Sequence, residues 1–203
     1  MHERTRRYSY GSRSFQLDVP ASVVNAAQSG EPGAVTTLLH AAWPAAYRLA
    51  WSMLKNAAAA EDVAQAACAR ALDALGTLRR SDRFASWFLR IVVNEAKQMR
   101  RATARELPFE PGLADRPASW RDEILAHDDR LDVRRAIDAL EPGLRATIVL
   151  RYYFGMSSAE IGRILATSPV TVRWRLMVAH RKLRALLEPA VATEFTIAKE
   201  PCR

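Results

Sequence analysis

Long apolar runs are missing from this sequence, and none approaches the roughly 18 residues a membrane-spanning helix needs. Glycine (8) and proline (10) are sparse in a chain of 203 residues, which excludes collagen-like and low-complexity classes. Cysteine is confined to Cys68 and Cys202, too few and too far apart for a disulfide framework or a metal spacing, as suits a reducing compartment. The four histidines, His2, His40, His127 and His180, form no HExxH, no Cys/His set and no nucleophile pair. His127, beside Asp128 and Asp129, reads as linker surface, and Cys68 as packing on an apolar helix face. A phosphate-cradling glycine loop and a dinucleotide fingerprint are also missing. These gaps leave no catalytic residue set, so the chain is expected to be no enzyme and to need no metal and no cofactor. Met1–Tyr10 is basic and polar with no apolar segment behind it, which speaks against export and predicts a cytoplasmic protein without membrane insertion.

Positive charge, by contrast, is abundant. Lys and Arg total 30 against 22 acids, a net charge of +8, and nearly all of the excess is arginine. Arginine's planar fork suits phosphates and guanine edges. The charge is also blocked along the chain. Residues 79–105 hold eight Lys/Arg against Asp82 and Glu95, and residues 161–187 hold six with no acid, so each block is +6. Between them, residues 106–142 hold ten acids and five arginines. Two basic modules joined by an acidic, proline-bearing linker can face one polyanion together.

Nearly every periodic segment is helical, and no alternating strand pattern or hairpin turn is present. Helices are predicted over Val23–Ser29, Ala34–Lys55, Glu61–Leu78 and Arg83 to about Thr103. The last has Phe84, Phe88, Ile91, Val92, Ala96 and Met99 facing inward. Gly76 and Arg79–Asp82 read as a loop. Further helices are expected over Leu131–Leu140, with Val133, Ile137 and Leu140 inward, and from Pro142 through Phe154 to a stop at Gly155. The fold class is therefore all-α, with two helical domains joined by a linker. The expected divisions are a basic extension 1–20, a first domain 21–103, an acidic linker 104–130, a second domain 131–189 and a tail 190–203.

The second basic block carries the most specific pattern. Ser157 or Ser158 caps a short helix, Ala159–Leu165. Ala166–Thr167–Ser168 breaks it, and Pro169 opens a longer helix to about Glu188 with Val172, Leu176, Ala179, Leu183 and Leu187 on one side. A short helix, a three-residue turn and a longer basic helix make a helix-turn-helix. Its second helix can enter the major groove, where arginines reach base edges and Thr171 with the helix N-terminus holds phosphates.

These residues resemble a family. "LEPGLRATIVLRYYFGMSSAEIGRILATSPVTVRWRLMVAHRKLRALL" (140–187) resembles region 4, the −35 promoter-binding domain, of extracytoplasmic-function (ECF) sigma factors in the sigma-70 superfamily. "AEDVAQAACARAL" (60–72) and "RFASWFLRIVVNEAKQMRR" (83–101) are similar to their region 2. The resemblance covers about residues 21–189 and implies an alternative sigma factor that binds core RNA polymerase and directs promoter-specific initiation. The implied partners are bacterial core RNA polymerase (the β′ clamp helices and the β subunit), promoter DNA and an anti-sigma factor.

The resemblance also implies residue roles. Glu61, Asp62, Val63 and Gln65 fall where the family docks on the β′ clamp helices. Carboxylates and an amide on one helix face suit a basic partner, although an acidic pair near a helix N-terminus also complements its dipole. The family commonly has an acid and a bulky apolar residue where this chain has Ala66 and Cys68. Arg79, Arg80, Arg83, Arg90, Asn94, Lys97, Arg100 and Arg101 fall on the −10 surface, which supplies cations for a strand and an amide for a base edge. Trp87 is read as core packing rather than base stacking. Arg151, Thr171, Arg173, Trp174, Arg175 and Arg181 fall on the −35 surface. Ala166 stands where the family commonly has glycine, at a left-handed backbone position that costs alanine roughly 1 kcal/mol. Val170, Trp174 and Val178 also replace commoner residues on the DNA side, so a different −35 preference is expected. The alternative is a stand-alone helix-turn-helix regulator, which explains residues 140–188 and leaves the Glu61–Arg101 pattern without a role.

Overall fold

The computed structural model describes residues 17–106 and 128–196. The described residues form helices and short connections, with no strand among them. A first group comprises α1 (Ala21–Gln28), α2 (Pro32–Leu54), α3 (Ala57–Ala74) and α4 (Phe84–Glu106). A second comprises α5 (Asp128–Asp138), α6 (Pro142–Ile148), α7 (Ser158–Leu165) and α8 (Pro169–Thr196). Single 3-10 turns, Leu75–Thr77 and Ser81–Arg83, connect α3 to α4.

The element boundaries correct several expectations. α3 begins at Ala57, not Glu61. Asn56 caps it by accepting from the Ala59 amide at 2.9 Å, and an alanine run carries its first turn. α4 continues to Glu106 and α5 starts at Asp128, so helix takes up both ends of the expected 104–130 linker. His127 and most of that linker lie outside the described residues, as do 1–16 and 197–203. Leu17 is buried in the core, so the first domain starts before residue 21. α8 runs on to Thr196, past the expected stop near Glu188.

Other corrections concern which side chains turn inward. Val133 is exposed and Ala136, three residues on, is buried instead. On α4, Leu89 and Val93 join the expected core residues as fully buried side chains, because α2, α3 and α7 all pack on this helix and widen its buried arc. After α6 the chain does not stay α-helical to Phe154. Val149–Tyr153 forms a π-helical turn, closed by Phe154 N–H donating to Val149 O at 3.2 Å.

The two groups share an interior. Ala146, Leu150, Phe154, Met156, Ile161, Ile164, Leu165 and Val172 belong to the same buried cluster as Leu49, Val63, Phe88 and Val92. A smaller cluster of Leu140, Leu144, Ile148, Val178 and Ala179 seats α8 on α6. Val178 is therefore core and not on a DNA-facing side. Arg145, 3% exposed, bridges the groups: Nε donates to Ser52 O at 2.5 Å and a terminal nitrogen to Asp138 O at 2.8 Å. Burial pulls its guanidinium down to about 10, still charged at neutral pH. Arg48 lies 5.0 Å from the Tyr153 ring centroid, a second cross-group contact of cation–π type.

The helix-turn-helix forms as expected. Ser157 and Glu160 make a capping box at α7, with Ser157 N–H donating to Glu160 at 2.9 Å and the Glu160 amide to Ser157 Oγ at 3.3 Å. Ala166 adopts φ 55°, ψ 55°, the left-handed position anticipated above. The turn folds back so tightly that a Cβ on Gly162 would sit 2.8 Å from the Thr167 carbonyl oxygen. Two substitutions four residues apart should therefore act in opposite directions. Gly162→Ala is expected to cost about 1–3 kcal/mol by forcing the turn open. Ala166→Gly is expected to add up to about 1 kcal/mol. Denaturant melts of both variants check this, and effects of the same sign would contradict the turn geometry.

Candidate nucleic-acid interface

On α4, Arg90, Asn94, Lys97 and Arg101 recur at four-, three- and four-residue steps and share one stripe. Arg90, Asn94, Arg100 and Arg101 are exposed, with Arg100 to one side of that stripe. Between α3 and α4 runs an open groove of about 850 Å³, lined by Arg70, Asp73, Asn94, Lys97, Gln98 and Arg101. It offers cations and the amides of Asn94 and Gln98 in one place, groups that can hold a strand backbone and meet base edges, with no aromatic ring in its lining. Arg70 is held to Glu95 at 3.0 Å, which fixes one wall. Trp87 is half-buried with its ring 6.0 Å from Phe84, so it packs against the core.

The loop before α4 is positioned by residues the sequence did not single out. The Gln28 amide donates to Leu75 O at 2.9 Å and to Leu78 O at 2.8 Å, and Ser81 Oγ bonds Asn25 Oδ1. α1 therefore clamps the loop that carries Arg79 and Arg80. These partners stand 47 to 56 positions apart, a separation no local pattern reveals. Arg79 is exposed. Arg80 is engaged by Asp82 at 2.6 Å, and that hydrogen bond is the main cause holding the Asp82 carboxyl below its ordinary value.

Two of the expected −10 cations face the second group. Lys97 Nζ donates to Leu165 O at 3.0 Å, and Arg83 approaches Glu160 at 3.5 Å. Burial, followed by repulsion from Arg101, Arg175 and Arg100, pulls the Lys97 ammonium below its ordinary value. Glu160 is held low chiefly by its hydrogen bonds from Ser157. Lys97 is thus engaged across the groups, whereas Arg83 keeps much of its side chain exposed.

On the second group, the π-helical turn sets Arg151 and Tyr152 against α8. Tyr152 Oη lies 2.7 Å from His180 Nε2, and Arg151 donates to Met156 O at 3.1 Å. Arg151, Arg173, Met177, His180, Arg181 and Arg184 line a second open groove of about 680 Å³. Trp174 stands exposed outside that lining. Thr171 is half-exposed, and its amide and hydroxyl both engage Ser168 Oγ, which caps α8. Arg175 does not join this face. Two residues advance about 200° around a helix, which turns Arg175 away from Arg173 and lays its guanidinium against Gly143 of α6.

α3 presents Glu61, Asp62 and Gln65 together on an exposed face, with Ala58 and Ala69 beside them. Val63 is placed otherwise: it is 1% exposed and sits in the core, about 200° from Glu61, so it supports the face from behind. Because α3 begins at Ala57, Glu61 and Asp62 lie in its second turn, beyond the reach of most dipole stabilisation. Cys68 is buried, which pushes its thiol up to about 11.

Among the described residues no cluster of three or more His, Cys, Asp or Glu side chains has metal-site geometry, and no helix is long and apolar enough to cross a membrane.

Residues 38–106 match the family model for sigma-70 region 2, and residues 130–183 that for sigma-70, region 4. The chain is 32% identical over 142 residues to the ECF RNA polymerase sigma-E factor of Escherichia coli, spanning 64% of this chain and 74% of that protein. It is 30% identical over 146 residues to the RNA polymerase sigma-H factor of Pseudomonas aeruginosa, spanning 66% and 76%. It is 28% identical over 141 residues to the RNA polymerase sigma factor SigV of Bacillus subtilis, spanning 70% and 83%. Among solved structures, CnrH in complex with the cytosolic domain of CnrY matches with a TM-score of 0.61 and 26% identity, over 85% of this chain and 99% of that one. The sigma factor RpoE bound to the anti-sigma factor NepR from Bartonella quintana matches in fold, with a TM-score of 0.65 and 23% identity, over 75% and 96%.

Proposed function

Since the chain belongs to the extracytoplasmic-function sigma factors of the sigma-70 family, we propose how its two helical groups divide the work of promoter-specific initiation. It is an alternative sigma factor that directs RNA polymerase to promoters. Sigma factors are generally not enzymes, and we infer that this one acts by binding alone, in the cytoplasm where the polymerase works.

In this reading, Glu61, Asp62 and Gln65 dock on the basic clamp helices of the β′ subunit. The clamped loop and the Arg90–Asn94–Lys97–Arg101 stripe take the −10 strand, with Asn94 reading an extruded base. Arg151, Arg173, Trp174 and Arg181 take the −35 duplex, while Arg175 braces α8 on α6. An anti-sigma protein is a further partner, as for the relatives solved with one. A single observation carries the reading: one chain holds both basic faces, on segments that match regions 2 and 4 in family order.

Co-purification with core polymerase separates this reading from a stand-alone regulator. Retention on core enzyme supports the sigma reading. Duplex binding alone, without any core association, supports the regulator. Arg173→Ala is expected to weaken −35 binding by about 5- to 150-fold, the range of one lost bidentate base contact. Competition binding across promoter variants measures it, and unchanged affinity with unchanged preference would remove Arg173 from the interface.

A further inference from the structure

The outermost strip of the helix-turn-helix is apolar. On α8, Val170 is 65% exposed, Trp174 56% and Met177 58%. Their spacing of four and three places them within about 60° of one another around the helix. The buried side chains Val172 and Ala179 point the opposite way. Val, Trp and Met in one row present most of their surface to solvent, and large apolar groups grouped on a surface mark a contact.

The surroundings of the strip identify its occupant. Residues 161–187 carry six Lys/Arg and no acid. Arg173, Arg181 and Arg184 are exposed beside the strip and line the groove along it. A polyanion with apolar points on its surface fits such a row. Duplex DNA meets that description in its major groove, where thymine alone among the four bases presents a methyl group. Val170 and Trp174 fall in the first two turns of α8, the part of a recognition helix that meets base edges.

We propose that Val170, Trp174 and Met177 read thymine 5-methyl groups in the −35 element, while the flanking arginines hold the backbone and guanine edges. The proposal rests on the sigma-factor reading of α8 and adds the chemical feature that this helix selects. It predicts a −35 preference set by thymine content on one strand, with a dependence on the methyl that hydrogen-bond readout does not have.

The test uses full-length protein assembled with core polymerase. A −35 element is first selected from duplexes randomised in that region. Each thymine of the selected element is then replaced by deoxyuridine, which removes the methyl and leaves the pairing and the hydrogen-bonding edge unchanged. At one or more positions, binding should weaken about fourfold per methyl, the factor that burying one such carbon is worth. With Trp174→Ala, or with Val170→Ala and Met177→Ala together, the thymine-to-deoxyuridine ratio at those positions should collapse toward one. These side chains are exposed, so the variants should melt like the parent chain. Equal binding of deoxyuridine and thymine at every position would overturn the proposal, and so would a methyl dependence unchanged in the Trp174→Ala variant. If the protein programmes core polymerase for selective initiation but ignores the methyl, this proposal alone fails. If it selects no duplex, alone or with core enzyme, the proposal and the sigma-factor reading of α8 fail together.

Discussion

Reversing charge on the exposed face of α3, by Glu61→Lys with Asp62→Lys, is expected to abolish co-purification with core polymerase and all promoter-specific transcription. In the proposed dock, two carboxylates opposite a basic partner become two cations opposite it, and like-charge juxtaposition at an interface costs several kcal/mol. The same change should hardly affect folding. Both residues are exposed in the second turn of α3, where the dipole contribution has largely decayed, and such surface substitutions shift stability by about 0.5 kcal/mol. A pull-down on core enzyme combined with a thermal melt separates the two effects. Full retention of the variant on core would move the dock elsewhere. Loss of retention together with a collapsed melt would return the pair to a structural role.

Asn94→Ala should leave core association largely intact and lower open-complex formation at least tenfold. Asn94 is exposed on the stripe with Arg90, Lys97 and Arg101, and it lines the groove between α3 and α4. Its amide, like that of Gln98 in the same groove, is suited to reading a base edge, and in the proposed reading the neighbouring cations hold the backbone. Losing such a contact is worth roughly 1–3 kcal/mol, and stacking losses of similar size per base follow if the base no longer seats. Heparin-resistant complexes on a promoter report opening, and retention on core polymerase reports docking. Equal losses in both would contradict the assignment of Asn94 to the −10 strand.

The helix-turn-helix was legible in outline because its signals are local, although the sequence left the cap open between Ser157 and Ser158 and ended the last helix near Glu188. The Ser157–Glu160 capping box, the left-handed Ala166 and Pro169 at the head of α8 each depend on neighbours within a few positions. Stripe membership on α4 was equally legible, since it follows from 3.6-residue periodicity. Burial depended on partners distant in sequence and was read less well. Val63 and Val178 belonged to motifs that suggested surface contact, but packing against other helices claimed them. Arg175 sits among residues of a DNA-facing helix, yet its angle turns it toward α6. The π-helical turn at Val149–Tyr153 leaves no composition signal, and it carries Arg151, which lines the α8 groove, and Tyr152, whose hydroxyl meets His180.

The relation between the two groups was the least legible feature. Charge blocks predicted two modules on a tether, whereas the structure joins them through one apolar core. Arg145 crosses to Ser52 O, and Lys97 to Leu165 O. Both are single cations meeting backbone carbonyls, which leave no mark in a sequence. The cross-group contacts also engage two cations of the proposed −10 surface, Arg83 and Lys97, with α7.

Run-off transcription tests the central claim most directly. Purified core polymerase is supplied with this protein and a mixture of promoter templates, and the transcript ends are mapped. The account predicts transcripts that start at discrete sites on a subset of templates, depend on the added protein, and disappear with the Glu61→Lys, Asp62→Lys variant. Core enzyme that starts at the same positions with or without the protein would contradict it.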